Sequence, residues 1–337
     1  MKYLLYISSL LILLSSCQKE DDAITLPPPG NMQQMVAVLG SSYDNQVYVS
    51  LANKSTFTSQ YRNYDLSFET LNGQLRVWTN SGKVMLAART GSFDMTTADS
   101  TGLSWWVDNE QHHADSSAIG NWWLNTFNGE SEVFILDRGQ SDFSGANRYR
   151  KFQILNAGSS TGYTVLYSLY DNTDVHTFTI PRDTNYSVVH FSFDNNGQLV
   201  NQAPPKEQWD FVFTKYTHVY FDYAPGNIFR NYPVVGVQLN VWDNVKSIQL
   251  QKDTFPNYMP FEEFNYSNVS NYPWTSQSDI IGYNWKYYDF NNSRFYVYPT
   301  NYFVVCDRNG IYYKLRFLDF YDHTGIKGTV TFEFQRI

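Results

Sequence analysis

Apolar and polar side chains alternate with a period of two through much of this chain. Tyr313, Leu315 and Phe317 fall on one face of a run whose other face carries Lys314, Arg316 and Leu318, the pattern of a strand with one buried side. After the turn-forming stretch Asp322-His323-Thr324-Gly325, Thr329-Val330-Thr331-Phe332-Glu333-Phe334 alternates in the same way. Tyr149 to Leu155, a turn from Gly158 to Gly162, and Tyr163 to Tyr167 repeat the plan. Neighbouring runs of this kind pair antiparallel through short loops. No stretch combines a 3.6-residue period with helix caps over a helical length. The pattern predicts an all-β protein.

The runs also repeat. Tyr64-Asp65-Leu66-Ser67-Phe68-Glu69 matches Trp209-Asp210-Phe211-Val212-Phe213-Thr214. Upstream of each lies another strand, Val47 to Leu51 and Val189 to Phe193. Ile119-Gly120-Asn121-Trp122 matches Ile281-Gly282-Tyr283-Asn284-Trp285, and Val133 to Gly139 matches Phe303 to Gly310. Tyr149-Arg150-Lys151 matches Tyr312-Tyr313-Lys314, and Trp122 to Lys151 and Trp285 to Lys314 are each 29 residues apart. Five blocks in one order predict two similar antiparallel β-domains in tandem, 36–180 and 181–337, with a seam at Pro181-Arg182-Asp183. Trp209 and Trp285, at matched positions, read as core.

Composition narrows the function. The chain has 337 residues, 18% aromatic and 17% charged, with a net charge of −8. The charge lacks the basic footprint of a nucleic-acid binder, and the aromatic content supplies a core that a disordered chain would lack. Two cysteines build no disulfide framework, and Cys306, inside an apolar run, reads as a small hydrophobe. No nucleophile elbow, glycine-rich phosphate loop or HExxH helix is present. No cluster has metal-ligand spacing. The expectation is a protein that works by recognition, without catalytic residues.

The first residues give an address. Residues 1–16 place Lys2 before an apolar stretch from Leu4 to Leu14, too short to span a bilayer and suited to a signal peptide. Leu14-Ser15-Ser16-Cys17 resembles a bacterial lipobox, in which Cys17 carries the acyl chains. The run Gln18-Lys19-Glu20-Asp21-Asp22 resembles the surface-export signal of Bacteroidota lipoproteins. Pro27, Pro28 and Pro29 make the rest of 17–35 an extended tether. The protein is therefore expected on the outer membrane, lipid-anchored through Cys17 and exposed at the cell surface.

The densest polar-aromatic segment is 105–115, with Trp105, Trp106, His112 and His113. It reads either as a haem or metal contact or as a polar surface loop with Trp anchors. The exposed-aromatic reading makes Trp105 and Trp106 contacts for a ligand or partner. His218, in the strand-like Tyr216-Thr217-His218-Val219-Tyr220, reads as a satisfied sheet histidine.

The repeated blocks, the Trp209-Asp210 strand and the ending Asp307-Arg308-Asn309-Gly310-Ile311-Tyr312-Tyr313-Lys314-Leu315-Arg316-Phe317 together resemble the HmuY family of haem-binding surface lipoproteins of the Bacteroidota. The resemblance implies haem as the bound group and a TonB-dependent receptor as the partner. It also implies two axial side chains, His–His or Met–Met, on loops flanking the Trp285 segment. In this chain the earlier loop offers Met259, while Lys286 to Asn292 holds no His or Met and offers Tyr287 and Tyr288. Two functions follow: capture of haem or a related ligand for a TonB-dependent uptake system, or a non-haem structural or interaction lipoprotein. The latter would be an accessory subunit of an outer-membrane complex, or a glycan or protein binder, that keeps the fold without the axial ligands.

Overall fold

The structure, a computed structural model, describes residues 28–337 apart from 72–74, 113–115, 140–142, 222–229 and 253. The signal peptide, Cys17 and the tether up to residue 27 lie outside the described residues, as does His113.

The described residues form strands joined by loops and short 3-10 turns. The chain opens with β1 (Gln33–Val38), β2 (Asn45–Ser50) and β3 (Ser55–Gln60). It continues through β4 (Leu66–Glu69), β5 (Val77–Thr79), β6 (Leu86–Arg89) and the small pair β7 (Thr126–Phe127) and β8 (Glu130–Ser131). Then come β9 (Phe134–Asp137), β10 (Tyr149–Gly158), β11 (Gly162–Leu169), β12 (His176–Ile180), β13 (Val188–Ser192) and β14 (Gln198–Val200). The last third holds β15 (Phe211–Tyr220), β16 (Arg230–Leu239), β17 (Lys246–Leu250) and a hairpin of β18 (Lys286–Asp289) and β19 (Arg294–Val297). It closes with β20 (Tyr302–Cys306), β21 (Tyr312–Tyr321) and β22 (Lys327–Arg336).

Four larger sheets arise, two of five strands and two of four. One sandwich packs β12-β11-β10-β9-β6 against β14-β13-β4-β5; the other packs β1-β22-β21-β20-β17 against β3-β2-β15-β16. Every pairing is antiparallel, as the period-two pattern predicts. Inward side chains interdigitate between the facing sheets. Phe68, Phe134, Phe152, Tyr163 and Phe191 fill the first core. Phe211, Phe213, Trp285, Phe317 and Phe332 fill the second.

The two sandwiches share one strand order, but they do not follow each other along the chain. β13 and β14 lie beyond the expected seam at 181, yet β13 pairs with β4 (Val189↔Phe68). At the other end, β2 pairs with β15 (Val49↔Phe211) and β1 with β22 (Ala37↔Val330). The expected domains 36–180 and 181–337 are therefore not the packing units. Residues 66–200 form an inner sandwich, set between β3 and β15 of an outer sandwich built from both ends of the chain. The reason is physical. A repeat specifies what each strand looks like, whereas pairing goes to whichever matching edge the chain can reach. The passage from β3 to β4 is one 3-10 turn, Tyr61–Asn63, so crossing between sandwiches needs few residues. The two ends of the inner unit touch: Gln202 Nε2 donates to the Gln60 carbonyl at 2.9 Å, and Ser59 Oγ donates to the Gln202 carbonyl at 2.7 Å.

The tether was expected to reach residue 35, but its last part belongs to the sheet. Gly30 N–H donates to the Arg336 carbonyl at 2.9 Å, and Arg336 Nη2 donates to the Pro28 carbonyl at 2.9 Å. The outward face of β20 and β21 is not open to solvent either. A second cluster that includes Phe261, Phe264, Tyr272 and Tyr302 covers it. Lys314, an outward residue of β21, is consequently buried and donates to the Phe261 and Phe264 carbonyls at 2.8 and 3.0 Å.

Candidate functional site

The β15–β16 hairpin is longer than its counterpart β4–β5, and its outer half leaves the sandwich that holds its base. β2 accompanies β15 only along Phe211 to Phe213. Beyond that point β15 runs beside the inner unit. Thr217 Oγ1 donates to the Ser81 carbonyl at 2.6 Å, and Lys215 Nζ lies 3.2 Å from the Tyr61 hydroxyl. Gly82 permits this approach, since a Cβ there would stand 2.8 Å from the Lys215 carbonyl oxygen.

Alternation along β15 sends Tyr216, His218 and Tyr220 to the opposite face, where the inner unit's loop through Glu110 meets them. The Glu110 carbonyl accepts from Gln238 Nε2 at 3.2 Å, and the Gln111 carbonyl accepts from Ser278 N–H at 3.2 Å. Glu110 Oε1 lies 3.0 Å from His218 Nδ1. A carboxylate only accepts, so Nδ1 carries the proton in this contact and Nε2 is the ring's second nitrogen. The His218 ring is held edge-on by Tyr220 at 4.6 Å and Tyr283 at 5.1 Å, whose hydroxyls are 3.3 Å apart. Among the described residues, Glu110 Oε2 and the Tyr216 hydroxyl are buried here without a hydrogen-bond partner. Burial, together with the carboxylates of Asp279 and Glu110, pushes the Tyr216 phenol well above its ordinary range.

His112 sits elsewhere on the same seam. It stacks on Trp242 (4.8 Å, 30°) and meets the edge of Trp78 at 5.3 Å. Its backbone is left-handed, with φ +52°, and burial pushes its pKa down to about 4. It is therefore a neutral ring closed between two indoles, one from each sandwich. Met259 is half-buried in the second cluster, and its carbonyl accepts from the Tyr302 hydroxyl at 2.6 Å. Trp105 is half-buried beside Tyr149, 6.3 Å away. Trp106 is 61% exposed and pairs only its backbone with Ala87, at the open edge of β6.

Tyr287 and Tyr288 lie on the β18–β19 hairpin. Register places Tyr287 opposite Tyr296, and the two rings stack at 5.8 Å with Tyr298 alongside at 4.9 Å. Tyr288 packs on Phe290 and Phe295, with Phe290 85% exposed. This hairpin therefore presents an aromatic surface. It is rooted by Lys286, which sequence reasoning did not single out. The Lys286 Nζ sits 4.2 Å over the Trp285 ring and donates to the Val235 carbonyl at 2.7 Å. Burial pushes this amine down to about 7.

The expected residues are thus distributed over separate places: Met259 in the second cluster, His112 between two indoles, Trp106 at a sheet edge, and the two tyrosines on a hairpin. Axial ligation of haem needs a sulfur, a ring nitrogen or a phenolate oxygen open on a face that admits a macrocycle. His112 is closed between two indoles, and Met259 packs half-buried against a hydrophobic cluster. His218 comes nearest to that requirement, with a ring oriented by Glu110, a side chain 23% exposed and aromatic flanks. Its reading as a satisfied sheet histidine holds for Nδ1 alone. The signal for it was missed because Glu110, its partner, is 108 residues away in sequence.

A model of the family described as HmuY protein matches residues 42–334. Among solved structures, apo PinO of Porphyromonas gingivitis is 11% identical, covering 91% of this chain and 97% of its own, with a TM-score of 0.26. The apo HmuY analog TFO of Tannerella forsythia is 9% identical, covering 92% and 98%, with a TM-score of 0.25. No curated protein matches the chain.

Proposed function

Because the chain belongs to the HmuY family, we propose that it is a surface lipoprotein that binds haem or a related ligand for a TonB-dependent uptake system. The match across residues 42–334 carries this reading, since the family is one of haem-binding-type lipoproteins. The lipobox ending at Cys17 supports an acyl anchor in the outer membrane. The stitching of residues 28–30 to β22 would place the outer sandwich beside that anchor. Such a protein acts by recognition, and the chemistry belongs to its cargo. A second reading, a non-haem interaction lipoprotein, is favoured by one observation: Met259 and His112 are both committed to packing.

Titrating the mature chain with haem separates the two. A saturable shift of the Soret band at one equivalent is the expected result. A spectrum that remains that of free haem would leave the interaction reading in its place.

A further inference from the structure

We infer that His218 is the side chain that takes the haem iron, through Nε2, at the surface where the β15–β16 hairpin meets the inner sandwich. The inference rests on the haem reading above and assigns it a residue that the resemblance does not supply.

Three observations carry it. First, the ring is preset. Metal-binding imidazoles commonly donate their second N–H to a carboxylate, which fixes the tautomer and raises ligand basicity; Glu110 does this for His218 at 3.0 Å. Second, the ligating nitrogen is available: among the described residues nothing hydrogen-bonds Nε2, and the side chain is 23% exposed. Third, the surroundings suit a flat aromatic macrocycle. Tyr220 and Tyr283 flank the imidazole, and Tyr232, the register partner of His218, is 47% exposed and packs edge-on against Tyr220. Beneath the ring, Glu110 Oε2 and the Tyr216 hydroxyl are buried without a hydrogen-bond partner among the described residues.

The other described histidines lack this combination. His190 is buried against Tyr64, and burial pushes its pKa down to about 3. His112 is closed between Trp78 and Trp242. His176 has its Nε2 engaged by Asp174 at 2.7 Å. His323 sits on an exposed turn. One imidazole as the sole protein ligand resembles the proximal arrangement of globins and would leave the opposite position exchangeable.

The test uses the mature chain, titrated with ferric haem and read by absorbance and magnetic circular dichroism. The wild type should show a single-imidazole, high-spin spectrum that changes on addition of free imidazole. His218→Ala should weaken binding by about 10-fold or more, with imidazole in solution restoring the wild-type spectrum. Glu110→Gln should keep the histidine signature and weaken binding within the ~10–100-fold range seen for such partners. Melting curves of each variant separate loss of ligand from loss of fold, and His218→Gln replaces the alanine variant if the latter unfolds. Wild-type affinity and spectrum in a folded His218 variant, or a thioether or phenolate signature in the wild type, would overturn the assignment while leaving the haem reading standing. A wild type that binds no haem would overturn both.

Discussion

The inner and outer sandwiches place an Asp at the same point, just before β4 and just before β15, and treat it in opposite ways. Asp65 is fully buried and paired with Lys83 Nζ at 2.9 Å and with Arg138 through Nε and Nη2 at 3.0 and 2.7 Å. Burial alone would raise its pKa; the two cations outweigh this and hold the carboxyl below its usual range. Asp210 is also buried, but among the described residues its carboxylate accepts only the Leu51 N–H, at 2.6 Å. Burial first, then the neighbouring carboxylates Asp307 and Asp243, push it up to about 6. The surroundings otherwise correspond. Asn80 donates to the Tyr61 and Tyr64 carbonyls, and Asn240 donates to those of Lys206 and Trp209. Three residues after each Asn, however, Lys83 is replaced by Asp243, and Arg308, the counterpart of Arg138, turns to Asp243 and Glu207. One framework thus tolerates either a neutralised ion cluster or a buried acid without a cation, the two differing by a Lys-to-Asp exchange and by where one arginine turns.

Asp65→Asn should have the largest effect. It leaves Lys83 and Arg138 buried without their shared partner, a loss of about 3–5 kcal/mol. The loss should appear as early unfolding of the inner sandwich in denaturant and as faster hydrogen exchange in β4 and β9. A change of less than about 1 kcal/mol would mean that the cluster is not what holds this end of the unit.

Asp210→Asn should act in the other direction. The folded pKa of Asp210 lies above the value of about 3.9 expected in the unfolded chain, so the folded state holds the proton longer. Its stabilising contribution is present below about pH 4 and is lost as pH rises through about 6. The variant should therefore be more stable than wild type by about 1–3 kcal/mol at pH 8, with the advantage closing as the pH falls towards 4. Equal stability at both pH values would end the contrast with Asp65.

Removing the inner unit should have the smallest effect on what remains. Joining Tyr61 to Gln202 spans a gap already bridged by hydrogen bonds, and units with adjacent ends are the ones whose insertion or removal is tolerated. The outer sandwich should keep a cooperative melting transition and β-type circular dichroism. A broad, non-cooperative melt would show that the two sandwiches are not separable.

Much of the architecture was legible in the chain. The alternation in Tyr313 to Phe317 marks strand and face correctly, and the repeated blocks identify equivalent strands, with β4 matching β15 and β9 matching β20. Trp285, read as core from its repeat position, is buried against Phe317 at 4.2 Å. What the chain did not reveal was partnership. Nothing local in Val47 to Ser50 says that this strand pairs with Phe211 to Phe213 rather than with Leu66 to Glu69, since all are alternating apolar runs. The site was hidden for the same reason. Glu110 and His218 look unremarkable one by one, and their meeting depends on how far the β15–β16 hairpin extends over the inner unit. His112 was noticeable as a neighbour of Trp105, yet its indole partners came from Trp78 and Trp242.

Nesting also sets an order of assembly. β2 and β3 can pair with each other as soon as both are made, but β1 and the other edge of β2 have no partner until β22 and β15 arrive, after residues 66–200. Loop-closure entropy grows with the logarithm of the intervening length, and a middle segment that collapses with its ends together turns a long search into a short one. A collapsed inner sandwich thus shortens the loop that the outer one must close, and the interval before β22 arrives is when the unpaired edge of β1 is most open to the wrong partner.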